Sequence, residues 1–162
     1  MRFNLAEKDL TEKALIDLND VFADIINALA FKGEQVVEPE ALEQAKINSV
    51  YEGRKKVRGI QRDNAKIWHN ACVHLAYFGI ENETEQEDDM PLRIIGYDGS
   101  AYRDQLFEEK DKNGKRKKNT NPRYPVISIV LHFDYTRRWT KSVTLKDSLA
   151  DYPRELDKFI ND

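Results

Sequence analysis

Hydrophobic positions in this chain come in a few patterned runs, each bounded by charged or turn-forming residues. Across residues 14–31, Leu15, Leu18, Phe22, Ile25, Ile26 and Leu29 recur at helical spacing and Gly33 follows as a stop, which predicts one amphipathic helix. Asp17, Asp20, Asp24 and Asn27 fall on its other face, where charge is ordinarily solvated. A sharper alternative leans Asp20 or Asp24 over a sheet edge. Residues 1–12 show little pattern, so a loosely held start is expected. Val36 and Val37 suggest a short extended piece, and residues 39–45 a helical turn.

The strongest signal lies between residues 60 and 84. Apolar, aromatic and β-branched residues fill 65–68 and again 72–80, with His69, Asn70 and Ala71 between them, the pattern of two strands joined by a short turn. A turn centred near Cys72 sets position i across from position 144 − i, hence Asp63 across from Glu81. Cross-strand neighbours on one face have Cβ atoms about 5 Å apart. The two-residue period of a strand sends Glu83 to the same side as Glu81, and Lys66 to the face opposite Asp63. Three carboxylates so placed repel one another unless a divalent cation that prefers hard oxygen ligands, Mg²⁺ or Mn²⁺, holds them.

Beyond the hairpin, residues 85–89 are acidic and polar, and Pro91 suits the first turn of a helix behind a capping Asp88 or Asp89. Leu92, Ile95, Tyr102 and Leu106 form a partial stripe that Asp98-Gly99 interrupts, which predicts a turn there and a helix from about Ser100. Residues 110–121 have no apolar side chain and six cations, and read as a basic loop. Residues 124–135 are nearly continuous in apolar residues, as in a central strand covered on both faces, with His132 inside it as a satisfied core histidine. Trp139 is expected to pack, and residues 145–150 to form a short helix. Helix, hairpin, helix and strand in that order predict an α/β fold: a central mixed β-sheet with an acid-bearing hairpin, flanked by helices.

Composition narrows the setting. A chain of 162 residues suits one domain. The mean hydropathy of −0.72 is polar, yet 40% apolar residues, with seven Tyr, seven Phe and two Trp, argue against disorder. No apolar run approaches the roughly 20 residues of a membrane span, and the N-terminus lacks a signal-peptide apolar region. The single cysteine, Cys72, cannot form an internal disulfide and reads as a small core residue, which points to a reducing, cytoplasmic setting. A net charge of −3 excludes a broadly basic nucleic-acid binder but leaves local patches. Arg54, Lys55, Lys56 and Arg58 lead into the hairpin, and Lys115, Arg116, Lys117 and Lys118 sit in the basic loop. A field that is positive on the approach and negative at the acids suits a phosphodiester backbone met by a metal ion; the plainer alternative is a pair of solvated loops.

Other chemistries find little support. His69, His74 and His132 lack zinc spacing, no Cys-x-x-Cys occurs, and no glycine-rich phosphate loop follows a strand. Several short runs recur in a telling order: Arg62-Asp63; then Phe78-Gly79-Ile80-Glu81-Asn82-Glu83-Thr84; then Met90-Pro91-Leu92-Arg93. Tyr97-Asp98-Gly99-Ser100 through Gln105-Leu106 and Tyr124-Pro125-Val126-Ile127-Ser128 follow. Together they resemble the bacterial recombination-promoting nuclease / putative transposase family, within the PD-(D/E)XK nuclease superfamily. The likeness runs from about Asn19 to about Trp139 and is specific through order and spacing.

That resemblance implies a restriction-endonuclease-like core and a Mg²⁺- or Mn²⁺-dependent DNA endonuclease, with a homodimer as one option. On it, Asp63 and Glu81 are metal ligands, the Asn82 carbonyl adds an oxygen, Asp20 is the helix acid, and Tyr102 and Gln105 fall where related nucleases carry a helix Tyr and Gln. Glu83 departs from the pattern. It stands where the family signature places Gln or Lys, and it either adds a metal ligand or overloads the site with negative charge. Family members usually continue further, which implies a truncated or minimal version here. The implied reaction is metal-assisted phosphodiester hydrolysis. Two alternatives stand beside it: a nuclease fold without catalysis that binds DNA or a protein partner, and acids merely paired with Arg62, Arg93 or Lys66.

Overall fold

Two helices open the chain where one was expected. In the computed structural model, which describes residues 5–53, 56–71, 73–106, 118–134 and 136–160 (the side chains of 5–9 and 48–60 excepted), α1 spans Leu5–Ile16 and α2 Asn19–Ala30. The break falls at Leu18, whose backbone is extended (φ −68°, ψ 131°). Its cause is long-range: the Asn19 side chain donates to the carbonyls of Pro39 (2.9 Å) and Leu42 (3.0 Å). The single helix over 14–31 is thereby corrected; of the start expected to be loosely held, residues 5–12 belong to α1 and residues 1–4 lie outside the described residues.

Helical spacing also misjudged part of the buried face. Phe22, Ala23, Ile26 and Asn27 point inward, while Leu15, Leu18 and Leu29 are exposed. Asn27, expected on a solvated face, is 0% exposed; its Oδ1 accepts the N–H groups of Val36 (3.1 Å) and Val37 (2.8 Å), and its Nδ2 donates to the Val37 carbonyl (2.9 Å). The side chain thus stands in for a ladder where the chain leaves α2. Asn27→Ala is expected to cost about 1–3 kcal/mol by orphaning the buried Val37 groups, read as a lower urea midpoint at unchanged slope.

A 3₁₀ turn at Pro39–Ala41 is followed by an edge strand, β1 (Leu42–Gln44), in place of the rest of the expected helical turn. β2 (Asn48–Gly53) and β3 (Lys56–Gln61) pair antiparallel as a separate two-stranded sheet that was not anticipated. β4 (Asn64–Asn70) and β5 (Val73–Glu83) are the expected hairpin, each longer than its apolar centre. Its turn includes Ala71, in the left-handed region at φ 52°, rather than spanning 69–71. Partners sum to 144 from Asn64↔Ile80 to Trp68↔Ala76, as expected, and an irregularity after Trp68 shifts the last two pairs by one residue. Cys72 lies outside the described residues.

α3 (Met90–Asp104) starts behind Asp89 with Pro91 in its first turn, and runs straight through Asp98-Gly99, where a turn was expected. Packing overrides propensity here. Tyr97 and Ser100 are buried, and Asp98 is bound to Arg62 and Ser128, which outweighs the roughly 1 kcal/mol that a glycine costs a helix. β6 (Val126–His132) then returns parallel to β5. A four-residue α4 (Leu145–Ser148), shorter than expected, opens with a Thr144–Asp147 capping box, and a 3₁₀ segment covers Arg154–Phe159.

The strands β1, β4, β5 and β6 form a mixed sheet in that order. One face carries Leu42, Ala76, Phe78 and Ile80 against Phe22, Ala23 and Ile26 of α2; the other carries Ala65, Tyr77 and Val126, with Ala101 of α3 packed on them. β4 and β5 are the interior strands, and β5 is buried without a break from Ala76 to Glu83. β6, expected to be covered on both faces, is instead an edge strand and mostly half-buried, because it has one neighbour. Nor is His132 satisfied: both ring nitrogens are buried with no hydrogen-bond partner, and the ring packs edge-on against Trp139 at 5.2 Å. The architecture is α/β, a four-stranded mixed sheet flanked by helices, and among the described residues no helix is long and apolar enough to cross a membrane.

Candidate functional site

Alternation along β5 puts Glu81 and Glu83 on the α3 face and turns Asn82 the other way, where its Nδ2 donates to Asn64 Oδ1 (3.3 Å). Asp63 immediately precedes the first ladder pair, Asn64↔Ile80, which places it beside Glu81 as the register predicted. Its carboxylate is held on two sides: Oδ2 accepts the Asn82 backbone N–H (3.0 Å), and Oδ1 pairs with Lys13 Nζ from the last turn of α1 (2.9 Å).

Glu81 is held by nothing comparable. Its side chain is 1% exposed, neither carboxylate oxygen has a hydrogen-bond partner, and the Arg93 guanidinium stands 3.7 Å from Oε2. Burial, then the neighbouring charge of Asp63, push its pKa up to about 7 against the opposing pull of Arg62 and Arg93. Burial raises Glu83 too, but Glu83 accepts a hydrogen bond from Arg93 Nη1 (2.8 Å). Arg93 also donates to Glu87 (2.6 Å) and to the Tyr97 hydroxyl (3.3 Å).

A second guanidinium lies across the same face. Arg62, on the bend before β4, is buried; it donates to Asp98 Oδ1 (2.6 Å) and to Ser128 Oγ, and faces the rings of Tyr77 (5.4 Å) and Tyr97 (5.1 Å). Gly79 makes room for it, since a Cβ there would collide with Nη1 and stand 2.8 Å from Cζ. Arg62 and Arg93 therefore each hydrogen-bond a carboxylate, Asp98 and Glu83, and Glu81 has only the 3.7 Å approach of Arg93.

The remaining sequence-predicted residues divide clearly. Asp20 is exposed in the first turn of α2, and among the described residues no hydrogen bond or ion pair joins it or Asp24 to the hairpin acids. Tyr102 and Gln105 serve the sheet: the Tyr102 hydroxyl accepts the Val126 N–H (3.0 Å), and Gln105 binds the N–H and carbonyl of Tyr124 (3.0 and 3.1 Å). Lys66 points to the opposite face, as alternation required, with Nζ 2.9 Å from Gln44 Oε1 and 3.7 Å from Asp17 Oδ1. Lys56 and Arg58 lie on β3; Arg54, Lys55, Lys115, Arg116 and Lys117 lie outside the described residues, and Lys118 is exposed. Lys13 was not foreseen. Its approach depends on α1 docking beside β4, where Asn64 Nδ2 donates to the Lys13 carbonyl (3.0 Å), and no local pattern encodes that.

A buried carboxylate that accepts no hydrogen bond is costly to keep charged, and a proton or a closer cation relieves it. Among the described residues no three His, Cys, Asp or Glu side chains converge as a ligand cage. Asp63 and Glu81 nevertheless suit Mg²⁺, which is commonly held by one or two carboxylates and otherwise keeps its waters. A cavity of about 260 Å³ also opens on this face between Arg62, Ile67, Tyr77, Tyr97, Ala101 and Tyr124, but the hairpin acids do not line it. Comparison of the chain with protein-family models, with curated proteins and with solved structures finds no match.

Proposed function

We propose that this protein is a metal-dependent DNA endonuclease with a restriction-endonuclease-like core, in which Asp63 and Glu81 hold Mg²⁺ or Mn²⁺. The observation that carries this reading is the Glu81 side chain, 1% exposed, with neither oxygen hydrogen-bonded and only a 3.7 Å approach of Arg93, beside a second carboxylate. Perturbed acids of this kind concentrate at working sites. Such an ion supplies the Lewis acidity that phosphodiester hydrolysis needs. Asp63 Oδ2 accepts the Asn82 amide and Oδ1 is paired with Lys13, so an ion at Oδ1 takes the place of that ammonium; the Asn82 carbonyl is the further oxygen that the family resemblance suggests. Glu83 does not overload the site, because Arg93 offsets its charge. Hydrolysis adds water across one P–O bond: the water oxygen joins phosphorus, and the sugar leaves as an alcohol. Arg54, Lys55, Lys56 and Arg58, together with Lys115 through Lys118, supply cations for the DNA backbone.

Supercoiled plasmid incubated with the protein and Mn²⁺ or Mg²⁺ is expected to be nicked, EDTA to stop the nicking, and Asp63→Ala to lose it. Intact plasmid, or nicking unchanged in Asp63→Ala, rejects the reading. A second reading, a nuclease fold that binds DNA without cutting it, draws on Arg93, whose guanidinium already stands beside Glu83 and Glu81. It predicts plasmid retardation with no nicking and no Mn²⁺ site.

A further inference from the structure

We infer that the cavity between β1 and α3 binds an amino-bearing nucleobase, cytosine, adenine or guanine, either as the free nucleoside or unstacked from a single strand. The hairpin acids do not line it, so it stands apart from the endonuclease reading. Size sets the first limit. Its volume of about 260 Å³ lies below the roughly 300–1,000 Å³ of pockets for drug-sized ligands, which suits a one- or two-ring heterocycle with its sugar left outside. The walls set the second. Buried Tyr77 and Tyr97 and half-buried Tyr124 line it beside Ile67 and Ala101, and the planar Arg62 guanidinium faces the first two rings. Aromatic rings and arginine planes are the surfaces on which proteins stack unpaired bases.

Polar groups decide the chemistry. Inside, the Tyr97 and Ser100 hydroxyl oxygens accept from Arg93 (3.3 Å) and Arg103 (3.1 Å), which leaves their own protons to give. Neither these hydroxyls nor that of Tyr124 donates to an acceptor among the described residues. The Tyr77 hydroxyl donates to the Lys46 carbonyl over 3.4 Å. Burial pushes the Tyr77 pKa up to about 12 and raises that of Tyr124, so both phenols keep their protons. Gln105, also on the wall, is committed to the Tyr124 backbone. The interior therefore presents donors and matches ring-nitrogen or carbonyl acceptors. At the mouth the order reverses. Glu43, Lys46 and Asp104 are exposed there, and Glu43 makes no hydrogen bond or ion pair among the described residues. A carboxylate accepts from an exocyclic amino group, as it does from cytosine N4. Acceptors inward and an amino group outward describe cytosine, adenine and guanine; uracil and thymine have the first without the second. An aromatic ammonium would satisfy Glu43 but leave the inner hydroxyls without acceptors.

The test titrates cytidine, adenosine, guanosine, uridine and phenethylamine into the full chain and reads amide chemical shifts, with thermal melts to verify the folding of each variant. At least one amino-bearing nucleoside is expected to bind with a Kd of about 1 mM or below, shifting the amides of Ile67, Ala101 and Tyr124, and uridine to bind about tenfold more weakly. Ala101→Leu, which fills the apolar wall, should abolish the binding. Glu43→Ala, a surface change, should bring the best nucleoside down to the level of uridine, and Tyr124→Phe should weaken all of them about fivefold. These two variants carry the test if Ala101→Leu fails to fold. No nucleoside bound at about 2 mM, uridine bound as tightly as the others, phenethylamine bound in their place, or affinities unmoved by Glu43→Ala and Tyr124→Phe overturns the inference. Single-stranded and duplex oligonucleotides of the preferred base, followed by anisotropy, tell the source. A single strand that binds better than the duplex and loses that advantage in Glu43→Ala assigns the site to nucleic acid; nucleoside binding without it assigns the site to the free nucleoside. Plasmid nicking is read in parallel: nicking without nucleoside binding defeats this inference alone, and nucleoside binding without nicking defeats the endonuclease reading alone.

Discussion

Glu81→Gln is expected to yield a protein more stable than the parent above pH 7 and unable to hold a divalent ion. In the unfolded chain the Glu81 carboxyl loses its proton near pH 4.5, whereas in the folded protein it keeps it up to about 7. Between those values the folded state binds the extra proton, so stability falls as pH rises, and above pH 7 the full cost stands, about 3 kcal/mol. Below pH 4.5 both states are protonated and the cost is absent. Glutamine carries no charge to bury. Its advantage should grow across that window and level off above it, as a melting temperature roughly 6–12 °C higher at pH 8. Mn²⁺ should close most of that gap, since an ion at a hundredfold excess over its Kd stabilises a protein that binds it by about 2.7 kcal/mol and leaves a non-binder unmoved. Thermal melts from pH 4 to pH 8, with and without Mn²⁺, read both effects. Parallel curves for parent and variant would mean that Glu81 buries no charge and holds no ion.

Asp98→Ala is expected to cost about 3–5 kcal/mol, because it leaves the Arg62 guanidinium buried without its carboxylate. Arg62 is 3% exposed and Asp98 28%, so the arginine bears most of that loss. Ser128 loses its acceptor in the same step. Removing the arginine as well should restore part of the stability: in Asp98→Ala/Arg62→Met no uncompensated charge remains, and the double mutant should be more stable than Asp98→Ala alone. Urea titrations of the four proteins of this cycle measure the coupling. A loss below about 1 kcal/mol for Asp98→Ala would show that the guanidinium finds water or another acceptor, and that α3 is not fastened to the sheet through this pair.

The fastening explains why α3 escaped its own sequence. Asp98-Gly99 reads as a turn to any local pattern, yet Asp98 is the residue that the sheet grips, so the helix continues through it. The break at Leu18 has the same logic in reverse. Nothing in the run of apolar residues interrupts a helix there, but Asn19 is claimed by two carbonyls more than a dozen residues away. β6 reads as central because its residues are apolar on both sides, while its position at the edge depends on which strand it pairs with.

What the amino-acid order determined by itself was orientation within the hairpin. A strand has a period of two and an antiparallel register propagates from its turn, so the positions of Asp63 beside Glu81, of Glu83 on the same side and of Lys66 on the other follow from counting. Tertiary structure decided what meets those side chains. Lys13 arrives on α1, Arg93 on α3, and Arg62 folds back over Gly79, each through contacts between segments distant in the chain. The physical reason is that a local pattern specifies which face a residue takes, whereas a charge partner is chosen by how whole elements dock.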